Sequence, residues 1–167
     1  MKCFKDLKQK YPDMKLLLAP RHPQRFEAVE NLIKETGFSY GLKSLGAEFE
    51  TSEIIMLDTM GELAKLFSLS YIAFIGGSFS GTGGHNPLEA NIWGVPVISG
   101  PSTHNFKDIY RILTDEKATV VVETEEELEK ELDEFYSDAQ KHSEYSKNCQ
   151  NVFEKNHGAI DFVLDRI

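Results

Sequence analysis

The chain has 167 residues, 41% of them hydrophobic and 27% charged, with a formal net charge of −9 and a sequence pI near 5.0. This composition is typical of a globular domain and excludes a disordered chain, and its acidity argues against nucleic acid as a partner. No apolar run approaches the roughly 20 residues that cross a bilayer, which predicts no membrane span. Cys3 and Cys149 form no CxxC pair, so we expect no metal or redox site and a reduced, cytoplasmic setting.

Apolar strands and amphipathic helices alternate along the chain. The patterns predict helices over residues 4–11, 24–36, 60–69, 87–93, 105–114 and 125–136, and two helical pieces after that, divided near 156–158. They predict strands over residues 15–19, 38–42, 54–57, 71–75, 95–99 and 118–122. This order predicts an α/β fold, a Rossmann-like and mainly parallel sheet with helices on both faces.

The whole chain is expected to form one domain over residues 1–167. The sheet and its loops are expected in residues 1–123 and the C-terminal helices in residues 124–167. Phe67 and Trp93 lie at helical spacing with other apolar residues, which predicts that both pack in the core rather than stack on a base.

The strongest local signal is the run GGSFSGTGGHNPLEANIWGVPVISGP, from Gly76 to Pro101. Five glycines within residues 76–84 let the backbone approach an anion, and the helix that follows offers unpaired N–H groups at its N-terminus. Glu89 lies one turn into that helix, where it can hold ribose hydroxyls or complete a capping box. The pattern therefore predicts a nucleotide site whose phosphate cradle consists of Ser78, Gly83, Gly84 and Asn86.

Three other loops also follow predicted strands. Arg21 can form paired hydrogen bonds to a phosphate, or it can pair with a glutamate at the surface. In the second loop, Asp58 or Thr59 can cap the next helix together with Glu62, and the same loop can also contact a base. The third loop, residues 100–105, ends at Asn105, which can cap the next helix. Ligands of open α/β sheets bind at the carboxyl ends of the strands, so we expect these three loops and the glycine loop around one crevice.

These stretches resemble the bacterial 3-deoxy-D-manno-octulosonic acid (Kdo) transferases. The glycine-rich run carries the resemblance together with LLLAPRHPQRF at residues 16–26, MLDTMGELAKLF at 56–67 and GPSTHNFKDI at 100–109. Gln24 stands where the family commonly has Glu. The resemblance implies the C-terminal, donor-binding half of a GT-B glycosyltransferase without its first strand. It also implies CMP-Kdo as the nucleotide, no metal ion, and a lipid A precursor as the acceptor, bound by a domain that the chain lacks.

The resemblance also assigns roles to residues. It implies that Arg21 binds phosphate, that the backbone around Thr59, Met60 and Gly61 contacts the base, and that Glu89 holds the ribose. His22 and His85 are weaker candidates for contacts with the phosphate or the sugar carboxylate. The family's catalytic base is a carboxylate on the other domain, and the sequence offers no candidate here. The chain alone is therefore expected to bind CMP and to catalyse no transfer.

The resemblance has further implications for partners and location. The intact protein is expected at the cytoplasmic face of the bacterial inner membrane. The C-terminal helices would present an apolar face that invites self-association, formed by Phe153, Ile160, Val163 and Leu164. Two alternatives stay open. One is a different GT-B protein that uses a UDP-sugar, either a transferase or an epimerase, and the other is a stand-alone nucleotide-binding module.

Overall fold

Two parallel sheets of three strands each organise residues 1–155, the part of the chain that the computed structural model describes. They belong to two units, Met1–Leu63 and a second that begins at Ala64. The predicted parallel α/β architecture is confirmed, with the strands hydrogen-bonded in two groups of three. No helix within residues 1–155 combines the length and hydropathy that a bilayer span requires.

The first unit is built around its central strand. Its helices are α1 (Lys2–Lys10) and α2 (Phe26–Lys34), and its strands are β1 (Leu16–Leu18), β2 (Tyr40–Leu42) and β3 (Ile54–Met56). β3 lies between β1 and β2, and all three of its residues are buried. In the pairing register, Leu18 lies beside Met56, so the loops after β1 and β3 leave the same edge of the sheet.

The second unit repeats this plan. It contains β4 (Ala73–Ile75), α4 (Leu88–Asn91), β5 (Val97–Ser99), α5 (Lys107–Asp115), β6 (Thr119–Val121), α6 (Glu125–Ser137) and α7 (Ala139–Lys155), and α3 (Leu63–Leu66) leads into it. β5 is central and fully buried, between β4 and β6. Ile75 pairs with Ser99, which brings the loops after β4 and β5 to the same edge.

Local sequence signals explain where the last two helices begin. The Thr124 hydroxyl accepts a hydrogen bond of 3.1 Å from the Glu127 amide at the start of α6. One Asp138 carboxylate oxygen accepts from the amides of Gln140 and Lys141, at 2.9 and 3.0 Å, at the start of α7. Short polar side chains at these positions satisfy amides that would otherwise lack partners, so each helix begins at its cap.

A buried asparagine, Asn91, links four elements of the second unit. Its side-chain amide donates to the carbonyl of Val95 at 3.1 Å, to the carbonyl of Ala118 at 3.2 Å and to the sulfur of Cys149 at 3.1 Å. Its carbonyl accepts from the Thr119 hydroxyl at 3.4 Å. Asn91 is fully buried, so these bonds replace water and hold α4, β6, α7 and the segment before β5 together.

Apolar side chains surround this polar centre, and one prediction about the core is wrong. Phe67 is buried as expected, but Trp93 is 50% exposed. The helical spacing that predicted burial does not apply to Trp93, because α4 ends at Asn91 and Trp93 lies in the turn after it. Phe153 packs, partly buried, against the core cluster of Leu88, Leu113, Ala118, Cys149 and Val152, and the other three residues of the predicted apolar face lie outside the described residues.

We expect Cys149 to resist thiol reagents in the folded protein. Burial raises the pKa of its thiol to about 11, although the hydrogen bond from Asn91 acts in the opposite direction. At about pH 8 a thiol reagent should therefore modify the partly exposed Cys3 quickly and Cys149 only on unfolding. A Cys3→Ser variant isolates the second thiol, and rapid labelling of that native variant would contradict the prediction.

Candidate functional site

The glycine loop of residues 76–86 connects β4 to α4, and the serine at position 78 anchors its start. Ser78 is fully buried, and its hydroxyl donates to the Ile75 carbonyl at 2.6 Å while accepting from the Gly100 amide at 2.8 Å. In this conformation the hydroxyl supports the loop rather than facing a ligand, although it was expected in the phosphate cradle. A direct contact from Ser78 to phosphate stays a prediction.

Gly83 is the most crowded position of the loop. It has a left-handed backbone conformation, with φ of +90°, and a Cβ atom there would lie 2.5 Å from Asn105 Cγ and 2.7 Å from His104 Nε2. Glycine adopts this conformation without strain and has no Cβ atom that would clash, so it is the residue that fits at position 83. Gly84, with φ of +66°, approaches the backbone carbonyl of Ser102 in the same way. The loop is therefore packed against the segment that follows β5.

Asn86 carries a buried hydrogen-bond donor that has no acceptor. Its side-chain carbonyl accepts from the Leu88 amide at 3.1 Å, which ties Asn86 to the first residue of α4, while Pro87 directly precedes the helix. The residue is 5% exposed, and its Nδ2 group has no hydrogen-bond partner. Leaving a buried donor unpaired costs about 1–3 kcal/mol, so a native site usually supplies an acceptor. Asn86 is thus a fixed donor at the end of the glycine loop.

His85 and Glu89, the other two candidate ligands near Asn86, are both partly buried. His85 precedes Asn86, and the His85 carbonyl accepts a bond of 3.2 Å from the Tyr110 hydroxyl. Burial raises the pKa of Tyr110, although a hydrogen bond with Ser99 acts in the opposite direction, so this hydroxyl stays protonated and keeps its role as donor. Glu89 lies on α4, as predicted. Its contact with a ribose stays a prediction.

In the first unit, one predicted capping role is wrong. The helix after β3 begins at Leu63 rather than near residue 60, so neither Asp58 nor Thr59 lies at its start. Asp58 instead accepts from the Ser44 amide at 2.8 Å and from the Ser44 hydroxyl. Burial would raise the pKa of Asp58, but these bonds from Ser44 lower it below its usual value. This carboxylate ties two loops of the first unit together.

The next three residues remain available for the predicted base contact. Thr59 Oγ1 is buried without a hydrogen-bond partner, and Met60 is 69% exposed. Gly61 has φ of +82°, and a Cβ atom added there would have no neighbour within 4 Å. Among the described residues, two buried side-chain polar atoms lack a partner, and they belong to Thr59 and Asn86. Both residues were predicted from sequence as nucleotide ligands.

The predicted residues divide between the units. The first unit holds Arg21, His22, Thr59, Met60 and Gly61, and Arg21 and His22 are exposed in the loop after β1, at the same sheet edge as the loop after β3. The second unit holds Ser78, Gly83, Gly84, His85, Asn86 and Glu89. Within each unit the loops meet at the carboxyl ends of the strands. The expectation of one shared crevice stays a prediction.

Sequence reasoning missed how the segment after β5 supports the glycine loop. Asn105 was expected to cap the following helix, but α5 begins at Lys107, and the Asn105 amide donates to the Thr82 carbonyl at 2.9 Å. Ser102 accepts from the Gly83 amide at 3.1 Å through its hydroxyl. The polar run STHN, which begins three residues after the buried strand β5 ends, was the available signal, but it does not show which residues it contacts.

The chain is similar to curated proteins over nearly its whole length, although no family model matches it. It is 36% identical over 167 residues to 3-deoxy-D-manno-octulosonic acid transferase of Haemophilus influenzae, a match that covers 99% of this chain and 39% of that protein. The protein of the same name from Aquifex aeolicus is 38% identical over 137 residues, covering 82% of this chain and 38% of that protein. The chain is homologous to Kdo transferases. It spans about two fifths of the length of these relatives, and the resemblance seen in its motifs is confirmed.

Solved structures confirm the fold of a GT-B C-terminal domain. The C-terminal CMP-Kdo binding domain of WaaA from Acinetobacter baumannii superimposes with a TM-score of 0.84 at 24% identity, over 91% of this chain and 80% of that one. The C-terminal domain of a group 1 glycosyl transferase, LpcC, from Francisella tularensis gives a TM-score of 0.67 at 17% identity, over 95% of this chain and 77% of that one.

Proposed function

We propose that this chain binds CMP-Kdo and forms the donor-binding part of a transferase that adds Kdo to a lipid A precursor. The observation that carries the proposal is the unpaired Asn86 amide at the end of the glycine loop. Homology to Kdo transferases supports the choice of donor, as does the fold shared with a CMP-Kdo binding domain. The proposed donor site works without a metal ion.

Each unit holds residues that we propose as nucleotide contacts. In the second unit, Asn86 would donate to a phosphate oxygen, the backbone at Gly83 and Gly84 would allow the phosphate to approach, and Glu89 would accept from the ribose hydroxyls. In the first unit, Arg21 would bind the phosphate and residues 59–61 would contact the cytosine. His22 and His85 would reach the phosphate or the carboxylate of Kdo.

These contacts fit the chemistry of the departing nucleotide. Transfer breaks the bond between Kdo and the CMP phosphate, and fixed hydrogen-bond donors stabilise the negative charge that develops on the leaving oxygen. The reaction also needs a base that removes the proton from the acceptor hydroxyl. We assign no residue of this chain to that role. We propose that another part of the intact protein supplies the base and binds the lipid A precursor, at the cytoplasmic face of the membrane.

Asn86→Asp should weaken CMP binding by about tenfold or more without unfolding the protein. The aspartate keeps the oxygen that accepts from the Leu88 amide. It removes the side-chain amide donor and places a negative charge where the phosphate is proposed to bind. Loss of a hydrogen bond to a charged group corresponds to at least about tenfold in affinity, and charge repulsion adds to this. Calorimetry in EDTA with CMP, UMP and UDP measures both the affinity and the choice of base.

Asn151→Asp is the matched control, because it makes the same change on an exposed part of α7. Equal CMP affinity in Asn86→Asp and the wild type would refute the proposed site. Preference for UDP over CMP would instead favour the alternative of a UDP-sugar enzyme. Glu89→Gln tests the ribose contact separately.

The purified chain should transfer no Kdo to a lipid A precursor, because it provides donor contacts and no assigned base. The assay supplies CMP-Kdo and a lipid A precursor and follows the release of CMP and the mass of the acceptor. Product formed by the purified chain at a rate above the blank would show that the base is within it.

A further inference from the structure

The segment after β5 holds the glycine loop through side-chain hydrogen bonds to its backbone. The Ser102 hydroxyl accepts from the Gly83 amide at 3.1 Å, and the Asn105 amide donates to the Thr82 carbonyl at 2.9 Å. The peptide group between Thr82 and Gly83 is therefore hydrogen-bonded at both its carbonyl and its N–H group. We call residues 100–106 the β5–α5 loop.

Backbone contacts tie the same two loops together at their base. The Ser102 amide donates to the Ser78 carbonyl at 2.8 Å, and the Gly100 amide donates to the Ser78 hydroxyl at the same distance. A Cβ atom on Gly100 would lie 2.8 Å from the Ser78 carbonyl oxygen, so the two backbones are in direct contact. The β5–α5 loop thus supports the glycine loop at its start and at Gly83.

We propose that Ser102 and Asn105 are positioning residues, which set nucleotide affinity by fixing the conformation of residues 82–84. This inference rests on the proposed function, because it assumes that the glycine loop binds the phosphate. Ser102 and Asn105 act through the backbone of the glycine loop and need no contact with the nucleotide themselves. The tight packing at Gly83 against Asn105 and His104 makes any displacement of the β5–α5 loop move the glycine loop as well.

The test combines hydrogen exchange in the nucleotide-free chain with CMP calorimetry. Ser102→Ala removes the acceptor of the Gly83 amide, so exchange at that amide should accelerate by about tenfold or more. Asn105→Asp keeps the shape of the side chain but removes the donor to Thr82. Each variant should weaken CMP binding by about tenfold, the amount that one lost hydrogen bond explains, while the melting temperature changes little.

Two further variants separate positioning from general stability. Ser102→Thr keeps the hydroxyl and should restore both the exchange rate and the affinity. Thr103→Ala removes the neighbouring hydroxyl, which forms no capping hydrogen bond, and should leave both unchanged. Loss of affinity in Ser102→Thr equal to that in Ser102→Ala would overturn the proposal, as would faster exchange in Ser102→Ala with unchanged affinity.

The exchange measurement also distinguishes this proposal from the proposed function. A wild-type chain that binds no CMP would refute the function, whatever the variants do. If Gly83 exchange in Ser102→Ala then equals that of the wild type, the positioning role is refuted as well. Accelerated exchange with intact CMP binding by the wild type, and weaker binding by Ser102→Ala, supports both.

Discussion

Asn91→Leu will destabilise the second unit by about 3 kcal/mol or more, which is a large fraction of the stability of an ordinary domain. Leucine has a similar size, but it removes the donor that serves the carbonyls of Val95 and Ala118. It also leaves the Thr119 hydroxyl without its acceptor. Because Asn91 is fully buried, no water replaces these bonds.

Urea denaturation followed by circular dichroism measures this loss as a change in the unfolding midpoint. Asn151→Leu is the control, since Asn151 is exposed on α7 and the same substitution there should change the free energy of unfolding by less than about 0.5 kcal/mol. Equal stability of Asn91→Leu and the wild type would show that these bonds contribute no net stability.

Gly83→Ala will weaken CMP binding by more than about tenfold, because the added methyl group would lie within 3 Å of Asn105 and His104, which must shift to admit it. Asn105 is short and hydrogen-bonded to the Thr82 carbonyl, so it cannot move aside without breaking that bond. The left-handed backbone at Gly83 adds a strain of about 1–2 kcal/mol for any residue with a side chain.

Gly81→Ala separates strain from crowding. Gly81 also has a left-handed conformation, with φ of +68°, but a Cβ atom there would have no neighbour within 4 Å. Both variants should therefore lose some stability, and only Gly83→Ala should lose affinity. Matching affinities for the two alanine variants would show that crowding at Gly83 does not shape the site.

The sequence predicted the order of strands, loops and helices well, because that order depends on short-range signals. The apolar runs became β3 and β5, and Asn86 followed by Pro87 marked the start of α4. The resemblance to Kdo transferases was carried by loop motifs, which lie at the carboxyl ends of β1, β3, β4 and β5 as parallel-sheet geometry requires.

What the sequence did not predict depends on partners that lie far away along the chain. Asn91 bonds to Ala118 and Cys149, 27 and 58 residues later, and Ser78 bonds to Gly100, 22 residues later. Asp58 carried a plausible local signal as a helix cap, but Ser44 binds it instead. Local patterns show that a polar side chain is present but do not identify its partner.

The attachment of Ser78 to Ile75 and Gly100 has a consequence for the kinetics of the nucleotide binding that we propose. A loop whose base is fixed before the ligand arrives loses little backbone entropy when the ligand binds. Association can then proceed as a single diffusional encounter, without a slow ordering step, and differences in affinity among nucleotides would appear mainly in how long each one stays bound.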